Sequence, residues 1–471
     1  MQLHYSIGTD EEIDRIHEAS VKILSEVGAV FHSEEAVELF RQHGARVEGS
    51  TVYISRQMLE DALKTVPKYY DLYNRDGGFV RVGGGADMVY ESAYGPIYVR
   101  KGKDLHKATH EDLVNFHKLN ETSKIIQISD PYALDFSYVE PEHRQQYALG
   151  LALKYCKKPL DGIVLGGREV VSECFEAMRQ FYGFADRDKT ITVGMACTVG
   201  PMQLARDMCD AISVLSKENQ AILVVSGVML GASGPQTMAG AFTIGNAMVL
   251  AAIVLTQLVR PGAPVLFCTR FSSHDMRSMG PAYGGIEAMW ACATTERMAR
   301  FYGIPFQTGV SNTESKVLDI QCGAETFMNI LSPHLLHADL LPMACGLLDS
   351  MNSAGYEKFI WDEECVEKCR HLMKGYEVTE ETLRLEEIKK KGPTGNYLGR
   401  VLPAYRKEFF EPKYDIRDNH NTWLKNGEPI SEDHLTAVWQ KRVEEYQEPD
   451  LTEDRKQILR QLLPERYHSI I

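Results

Sequence analysis

The chain has 471 residues, of which 44% are hydrophobic and 25% are charged. These proportions are near the averages of globular proteins and exclude a disordered, collagen-like or coiled-coil chain, while the length excludes a small domain held together by disulfides or a metal ion. The formal net charge of −14 excludes nucleic acid as an expected partner, because binding to phosphates needs clustered Lys and Arg side chains.

The N-terminal part, residues 1–104, predicts a helical cap followed by a small antiparallel β layer. Apolar residues recur at helical spacing over residues 10–43, which is typical of two amphipathic helices. Short strand candidates bounded by Gly- and Pro-containing turns follow, at residues 51–55, 69–73, 79–82, 88–90 and 97–99. The chain begins with neither a basic nor an apolar segment, so export through a secretory signal is not expected.

From about residue 105 the pattern changes to apolar strand candidates that alternate with helices. Strands are predicted at residues 125–129, 160–165, 190–195, 221–225, 264–268, 304–307, 338–341 and, weakly, 344–348. Helical patterns are present at residues 142–155, 170–183, 202–215, 238–258, 286–302 and 321–331. About eight strand–helix units favour a closed parallel barrel over an open doubly wound sheet. The predicted fold class is therefore α/β, with a (β/α)8 TIM barrel over residues 105–360; no G-x-G-x-x-G follows a first strand, which disfavours a dinucleotide-binding sheet.

Two other regions have a distinct composition. The most apolar stretch, residues 239–259, is interrupted by Gly240, Thr243 and Gln257, and we interpret it as a buried helix, with a membrane span as the alternative. Residues 361–471 are strongly charged and mostly helical, with final amphipathic helices at 431–446 and 452–463. This part is predicted to be a C-terminal helical extension packed on the barrel.

Motifs for metal binding or nucleophilic catalysis are weak. Ten scattered cysteines without a C-x-x-C pair indicate reduced thiols in a cytoplasmic protein. Cys365 and Cys369 are spaced by one helical turn near His371, but they lie away from the strand ends, so buried thiols are favoured over a zinc site. Lys316 follows a strand rather than lying in it, which disfavours a Schiff base. Neither H-E-x-x-H nor G-x-S-x-G is present, and we assign no catalytic residue and expect no tightly bound metal.

Catalytic and binding groups of such a barrel project from the carboxyl ends of its strands. The small residues of the loop 231–237, Gly234 and Thr237 among them, allow a ligand to approach the backbone closely, and the alternative is that turn geometry alone requires them. Residues 269–277 form the segment richest in charge and hydroxyl groups. In it, Arg270 or Arg277 is suited to bind a substrate carboxylate, and His274 is a pH-sensitive hydrogen-bond partner. An ion pair with Asp275 is the structural alternative.

Several aromatic residues are predicted near the same end of the barrel: Tyr94, Phe271, Tyr283, Tyr356 and Phe359. Aromatic faces around one pocket recognise a quaternary ammonium group by cation–π attraction. The alternative is that these side chains are ordinary core residues, as scattered aromatic residues usually are.

Short segments in a fixed order span about residues 10–370: Ile16-His17-Glu18-Ala19-Ser20, Leu72-Tyr73-Asn74-Arg75-Asp76, Leu258-Val259-Arg260-Pro261-Gly262, Asp275-Met276-Arg277, Tyr302-Gly303-Ile304-Pro305 and Tyr356-Glu357-Lys358. None is specific singly, but in this order and spacing they resemble the trimethylamine methyltransferase superfamily. His337-Ala338-Asp339 departs from a smaller Gly-Ala-Asn pattern of that family.

The resemblance implies a (β/α)8 barrel that passes a methyl group from an amine to the cobalt of a corrinoid, or cobalamin, held by a cognate partner protein. Members that use tertiary amines carry pyrrolysine, whereas this sequence has standard residues throughout. It therefore resembles the branch without pyrrolysine, which acts on quaternary amines such as glycine betaine, proline betaine or carnitine. Because a quaternary nitrogen leaves as a neutral amine, Co(I) would be the nucleophile, and the protein would position the N–CH₃ bond and exclude water. We also expect a homo-oligomer without membrane contact.

The resemblance suggests roles for the residues at the strand ends. Four aromatic residues would surround the ammonium group, namely Tyr94, Tyr283, Tyr356 and Phe359. The substrate carboxylate would be bound by Arg270, His274 or Arg277. The place where corrinoid and substrate meet would be lined by Gly234, Thr237, Gly309, Asn312 and Met343.

Two other functions remain open at the level of the sequence. A zinc- and thiol-dependent methyltransferase of similar barrel shape would need a set of Cys and His ligands. A non-enzymatic betaine-binding or sensing protein would bind the amine without transferring its methyl group. Metal analysis distinguishes the first from the main hypothesis, and a methyl-transfer assay distinguishes the second.

Overall fold

The structure is a computed structural model that describes residues 5–162, 167–198, 200–275, 277, 280–397, 399 and 403–470, with the side chains of 271–274 and 403–404 excepted. The N-terminal part contains three capped helices and a small sheet. Its elements are α1 (Asp10–Lys22), a π-helical turn (Ile23–Val27), β1 (Ala29–Phe31), α2 (Glu34–Gln42), β2 (Arg46–Glu48), β3 (Thr51–Tyr53) and α3 (Arg56–Thr65). The side chains of Thr9, Ser33 and Ser55 each accept a hydrogen bond from a backbone N–H of the first turn, which explains why the helices begin there.

The next strands are short: β4 (Tyr69–Tyr73), β5 (Phe79–Gly83), β6 (Val89–Tyr90), β7 (Tyr98–Lys101) and β8 (Asp104–Lys107). Two antiparallel hairpins, β4–β5 and β7–β8, agree with the predicted β layer. The prediction for residues 88–90 was wrong in one respect. Val89 and Tyr90 form β6, which does not join this layer but pairs in parallel with Leu340 and Leu341, far along the chain.

The α/β part follows, with its elements in this order: α4 (His110–Thr122), a 3₁₀ turn (Pro141–His143), α5 (Arg144–Tyr155), α6 (Gly167–Tyr182), β9 (Val193–Cys197), β10 (Gln203–Leu204), α7 (Arg206–Lys217), β11 (Ala221–Met229), α8 (Met238–Val259), β12 (Val265–His274), β13 (Pro281–Ala282), α9 (Glu287–Tyr302), α10 (Ile320–Leu335), β14 (Leu340–Leu341), β15 (Leu347–Leu348), β16 (Ser353–Gly355) and α11 (Tyr356–Lys374). Helices and strands follow one another from α6 to β14, but they do not alternate strictly: between α9 and α10, where the sequence predicts a strand at 304–307, the structure has only isolated parallel bridges at Phe306 and Gln307. The fold is therefore a mixed α/β fold.

Parallel pairing dominates this part. Strands β9, β11 and β12 form one parallel sheet, and β14 pairs in parallel with β6. Single parallel bridges join Glu91 to Ile128, Ser129 to Leu160, Phe267 to Phe306 and Gln307 to Leu340, and the N–H of Gly162 donates to the carbonyl of Val193. The weak strand candidate at 344–348 contains β15, which pairs antiparallel with β16 and is not part of this parallel series.

The parallel strands enclose an apolar layer. Leu223 of β11 lies opposite Leu266 of β12, and Val225 lies opposite Cys268. Because side chains alternate along a strand, these residues face the same side and pack with Val89, Ile128 and Leu340. Tyr70, Leu72 and Val82 of the β4–β5 hairpin belong to the same cluster, so the hairpin covers one end of the layer.

Helix α8 is a core helix. It is long and apolar enough to cross a membrane, but 72% of its most apolar 18-residue window is buried inside the protein. It packs against α1, α3, β11 and β12, which confirms the prediction of a buried helix at residues 239–259.

The C-terminal extension is helical and contacts the α/β part. It comprises α12 (Glu380–Leu383), α13 (Leu385–Lys391), α14 (Pro403–Glu408), α15 (His420–Lys425), α16 (Glu432–Glu444), α17 (Glu453–Leu462) and a 3₁₀ segment (Glu465–Ile470). Trp439 stacks on Tyr356 with ring centroids 4.2 Å apart, and Leu459 and Leu462 are buried in the largest hydrophobic cluster.

Candidate functional site

Three acidic side chains meet inside the α/β part, just past three neighbouring parallel segments. Glu91 follows β6, Asp130 follows Ser129, and Asp161 follows Leu160. Ligand oxygens of the three carboxyl groups lie within 4.8 Å of one another. The residues are only 1%, 2% and 6% exposed. We call Glu91, Asp130 and Asp161 the carboxyl cluster.

The backbone holds one member of the cluster in place. The N–H of Asp130 donates to Ser92 Oγ over 2.9 Å, and its Oδ1 accepts from the N–H of Tyr132 over 2.5 Å. A Cβ on Gly162 would lie 3.1 Å from Asp130 Oδ2, and Gly162 has φ +85°, so glycine allows both the turn and the close approach. In contrast, no N–H group and no hydroxyl of the described residues donates to either carboxyl oxygen of Glu91, so its neighbours within hydrogen-bond reach are the other carboxyl groups.

Burial controls the protonation of the carboxyl cluster. Burial raises the pKa of Glu91 to about 7, while a hydrogen bond shared with Asp161 and the charge of Arg270 oppose that rise. Burial and the charge of Asp161 raise the pKa of Asp130 well above its usual range, and burial and the charge of Glu91 do the same for Asp161. A hydrogen bond between two carboxyl groups requires a proton on one of them. Since closely spaced buried carboxylates repel one another, the cluster retains protons at neutral pH.

Arg270 places positive charge beside the carboxyl cluster. It lies on β12 opposite Gly227 of β11 and two residues beyond Cys268, so its side chain leaves the strand on the same side as the buried thiol. Its charge acts on both Glu91 and Tyr94. Its Nη2 has no hydrogen-bond partner among the described residues, which leaves a donor available to a ligand.

Tyr94 lies next to the cluster on the chain segment that follows β6. Its hydroxyl donates to Met195 Sδ over 3.8 Å. Burial raises its pKa well above the usual range, and the charge of Arg270 opposes that rise, so the phenol is neutral at physiological pH. Its ring packs against a small cluster that includes Val310 and Met343.

A narrow cleft, with about 50 Å³ of interior space for water-sized molecules, lies beside Arg270. Its lining residues come from β12, β13, α9, α10 and the 308–310 segment: Cys268, Thr269, Arg270, Ala282, Tyr283, Ala288, Ala291, Cys292, Thr308, Gly309, Val310 and Asn329. The cleft therefore combines one guanidinium and one phenol with hydroxyl, amide, thiol and small apolar side chains.

Six of the residues predicted from the sequence lie in or next to this region. Arg270, Tyr283 and Gly309 line the cleft, and Tyr94 and Met343 belong to the neighbouring apolar cluster. Met343 is fully buried. Asn312 is also buried; its Oδ1 accepts from the N–H of Met351 over 3.2 Å, while its Nδ2 has no partner among the described residues.

Tyr356 and Phe359 do not join this region. Tyr356 is 2% exposed, its hydroxyl donates to Asp112 over 2.8 Å, and its ring stacks on Trp439. Phe359 packs edge-on against Phe116 in the same hydrophobic cluster. The structure thus places both rings in the core between α4, α11 and α16, because helix packing there requires bulky apolar groups.

The remaining predicted residues lie on the surface or have local roles. The side chain of Arg277 is 94% exposed and pairs with Asp275 over 3.3 Å. This is the ion pair that the sequence offers as the alternative to binding of a substrate carboxylate. A Cβ on Gly234 would lie 2.4 Å from Val228 Cγ1, and Thr237 Oγ1 accepts from Gly240 N at the start of α8, so packing and capping explain these two residues. The backbone of His274 ends β12, and its side chain lies outside the described part of the chain.

The carboxyl cluster is the feature that the sequence analysis missed. Glu91 and Asp130 directly follow predicted strands, and an acidic residue at the carboxyl end of a strand is a signal for a functional group in a parallel α/β fold. Asp161 is the second residue of the predicted strand 160–165 and carries no such signal. The three residues are far apart in the sequence, so only the pairing of the segments reveals that they meet. The thiols of Cys365 and Cys369, in contrast, are fully buried and free, as the sequence predicts.

Comparisons with known proteins give a consistent result. The family model for trimethylamine methyltransferase (MTTB) matches residues 2–470. The chain is 31% identical to a glycine betaine methyltransferase of Desulfitobacterium hafniense (strain Y51), covering 95% of this chain and 94% of the relative. It is 32% identical to an L-carnitine:corrinoid methyltransferase of Eubacterium limosum, covering 97% and 96%, and 31% identical to a proline betaine:corrinoid methyltransferase of the same organism, covering 96% of each.

A solved structure shares the fold. The monomethylamine methyltransferase MtmB of Methanosarcina barkeri superposes with a TM-score of 0.53 and 13% sequence identity, over 94% of this chain and 89% of that chain. At this identity the likeness shows a common mixed α/β fold.

Proposed function

The chain belongs to the trimethylamine methyltransferase family, and we propose that it transfers a methyl group from a zwitterionic quaternary amine to the reduced cobalt of a corrinoid held by a separate protein. Relatives named for glycine betaine, carnitine and proline betaine match nearly the whole chain. The observation that carries the proposal is the placement of Arg270 beside the carboxyl cluster. Opposite charges at one site complement a molecule that has a carboxylate at one end and an ammonium group at the other.

We propose that the parallel segments close into an eight-stranded (β/α)8 barrel. The support is a continuous series of parallel links from β6 through Ile128, Leu160, β9, β11, β12 and Phe306 to β14, and the pairing of β14 with β6. In this arrangement β6 is the first strand, and the carboxyl cluster and Arg270 lie at the carboxyl ends of the strands, where barrel enzymes have their active sites.

The substrate would be oriented by its two charged ends. Arg270 binds the carboxylate, because a guanidinium donates two parallel hydrogen bonds to it. The ammonium group lies against the faces of Tyr94 and Tyr283, which attract a cation without hydrogen bonds, and the carboxyl cluster adds negative potential. Holding both ends fixes the direction of the N–CH₃ bond.

The corrinoid is a second substrate that the partner protein delivers, and it supplies the electron pair that accepts the methyl group. It would approach from the open side of the site, where Met195, Cys197 and Gly227 are partly or fully exposed, and Gly309 and Asn312 remain candidates for its contacts. Because the sequence holds standard residues throughout, the chemistry uses no pyrrolysine. We further propose a cytoplasmic homo-oligomer without a bound metal, built from an N-terminal part (1–104), the barrel (105–360) and the C-terminal extension (361–471).

Anaerobic methylation of cob(I)alamin, followed by absorbance, tests the proposed function. Purified protein is incubated with reduced cobalamin or its corrinoid protein and with glycine betaine, proline betaine or carnitine. We expect methylation with at least one substrate. Binding of a betaine without methylation by either acceptor would favour a binding protein, and stoichiometric zinc in the active protein would favour the zinc- and thiol-dependent mechanism.

Arg270→Gln tests the orientation of the substrate. Losing a charged hydrogen bond costs about 1.5–3 kcal/mol, so we expect KM for the preferred betaine to rise roughly 10- to 100-fold. Choline, a quaternary amine without a carboxylate, should react equally with both proteins. Arg277→Gln is the matched control, because that side chain is exposed and pairs with Asp275; an equal effect of the two substitutions would contradict the assignment.

A further inference from the structure

We propose that residues 375–397 and 405–411, which we call the arm, bind the arm of a second copy of this chain across a two-fold axis. The arm belongs to the C-terminal extension and contains α12, α13 and the end of α14. The inference specifies the interface of the homo-oligomer. It rests on that part of the proposed function and is independent of the proposed methyl transfer.

The arm is rich in apolar side chains but is not packed inside its own chain. None of its residues is buried. The rings of Tyr405 and Phe409 stack on one another with their centroids 4.2 Å apart. Exposed apolar side chains that are concentrated in one segment mark an interaction site, whereas single ones on a surface do not. Six large apolar side chains of the arm are each 47–59% exposed: Val378, Leu383, Leu385, Ile388, Tyr405 and Phe409.

The helices of the arm are too short to be stable without packing. Helix α12 has four residues, α13 has seven and α14 has six. Isolated helices shorter than about 12–15 residues are marginal in water, and most helical stability in proteins comes from packing of an apolar face. Near one end the arm is held to α11, where His371 Nε2 donates to the carbonyl of Glu408 over 2.8 Å. The burial that the arm still needs has to come from another molecule.

The charges of the arm indicate that this molecule is a second copy of the chain. Residues 377–387 contain five Glu and one Arg, whereas residues 389–391 are three Lys, and Arg406 and Lys407 follow. An interface across a two-fold axis pairs one surface with itself. When the two arms run antiparallel, the acidic part of each arm meets the basic part of the other. The arm thus complements itself in charge.

Some of these charges are available to the second copy, and the arm as a whole is nearly neutral. It carries seven acidic and six basic side chains, although the chain has a net charge of −14. Two copies can therefore approach through their arms with little mutual repulsion. Four charged side chains of the arm have no ion-pair partner among the described residues: Glu380, Glu381, Lys390 and Arg406.

The position of the arm favours a second copy over the corrinoid protein. Phe410 lines a cleft with about 950 Å³ of space for water-sized molecules, together with Met88 and Ala338, which precede β6 and β14. This part of the arm therefore lies near the amino ends of those strands. Glu91 follows the carboxyl end of β6, and the corrinoid has to reach that opposite end. A molecule seated on the arm leaves the proposed site open.

Two exposed valines provide a matched test of the apolar contact. Val378, in the arm, is 59% exposed, and Val27, in the N-terminal part, is 63% exposed. We expect Val378→Asp to raise the Kd of the two-fold contact about 10-fold or more, because a charge replaces an apolar contact. Val27→Asp should leave the Kd as it is in the wild type. Sedimentation velocity over a dilution series in the micromolar range measures both values without substrate or corrinoid.

Charge reversal tests the antiparallel arrangement. One variant combines Glu380→Lys with Glu381→Lys, and the other combines Lys390→Glu with Arg406→Glu. Each variant alone places like charges opposite one another, so we expect its Kd to rise about 10-fold at low salt. In an equimolar mixture the reversed side chains of each variant face opposite charges on the other. The mixture should therefore associate about as tightly as the wild type, which variants that fail to fold would not do.

Four results would overturn the inference. They are a wild-type protein that stays monomeric, equal effects of Val378→Asp and Val27→Asp, a mixture of the reversed variants that associates no better than each alone, and slower methyl transfer to the corrinoid protein in Val378→Asp with an unchanged oligomeric state. The last result would assign the arm to the corrinoid protein. Absence of methyl transfer by the wild type would instead overturn the proposed function and leave the interface between the arms in place.

Discussion

Glu91 couples the stability of the fold to pH. Its ordinary pKa is 4.5, and burial raises the pKa to about 7 in the folded protein. Between these values the folded protein binds more protons than the unfolded chain, so the free energy of unfolding decreases as the pH rises. The full effect of this one group is on the order of 3 kcal/mol. We therefore predict a loss of stability between about pH 4.5 and 7 that Glu91→Gln reduces, measured by urea denaturation at several pH values.

Glu11→Gln is the control for this experiment, because Glu11 lies on the surface with its side chain 75% exposed. It should leave the pH dependence as it is in the wild type. A wild-type stability that rises over the same pH interval, with the same slope in Glu91→Gln, would show that Glu91 is not protonated in the folded state.

Single residues of the site differ in how far the sequence could predict them. Arg270 and Tyr283 could be predicted because they lie in or just after one strand end, and a strand end is visible in the apolar pattern. The sequence could not predict whether Tyr356 lies in the binding site or in the core. An aromatic residue near a strand end fits both locations, and the structure shows its ring in the core, stacked on Trp439. The carboxyl cluster required the pairing of three distant segments, which no local pattern records.

Helix α11 fixes a loop of the site through a buried ion pair. Lys358 Nζ donates to Asp362 over 2.6 Å and to the carbonyl of Ser311 over 3.3 Å, and Asp362 Oδ2 accepts from the N–H of Gly346 over 2.7 Å. Both side chains of the pair are 0% exposed. The helix thereby connects to the chain beside Asn312.

Lys358→Met is predicted to destabilise the protein strongly, because Asp362 would stay buried without a cation. Removing one partner of a buried pair costs about 3–5 kcal/mol, and Lys358→Met combined with Asp362→Leu should recover part of that loss. Lys368→Met is the control, since Lys368 is partly exposed and its pairs with Asp415 and Glu364 should contribute about 1 kcal/mol or less. Denaturation midpoints measure the effect, and equal midpoints for the two single variants would contradict the prediction.

At the scale of elements, the long helices could be predicted closely and the shortest strands could not. Helix α8 begins and ends within one residue of the predicted 238–258, because Thr237 caps it and Pro261 follows its end. Strand β6 has two residues and pairs with β14. The strands before and after β6 form hairpins, so the local sequence pattern predicts that β6 belongs to the same antiparallel layer. Its parallel pairing depends on a contact with residues about 250 positions later in the chain, which a local pattern does not show.

The C-terminal extension and the α/β part are joined by buried contacts rather than by a mobile linker. Glu357, at the start of α11, accepts hydrogen bonds from Trp439 Nε1 and Thr436 Oγ1, each over 2.8 Å. Arg442 pairs with Glu363 over 2.6 Å and donates to the carbonyl of Leu119 over 3.0 Å. Such contacts cross the boundary at residue 361, so the two parts are expected to unfold together.

Removal of residues 431–471 tests that expectation for the whole molecule. Truncation would remove Leu459 and Leu462 from the largest hydrophobic cluster and expose the face of Tyr356, so we predict that the shortened chain unfolds at a much lower temperature or does not accumulate as folded protein. Trp439→Ala should reproduce part of the effect, at about 3–5 kcal/mol, because it removes both the stacked ring and a donor to Glu357. Trp423→Ala is the control, since Trp423 donates to Pro429 within the extension. Two separate thermal transitions in the full chain, the later one unchanged by truncation, would show instead that the extension folds independently and that the α/β part needs no support from it.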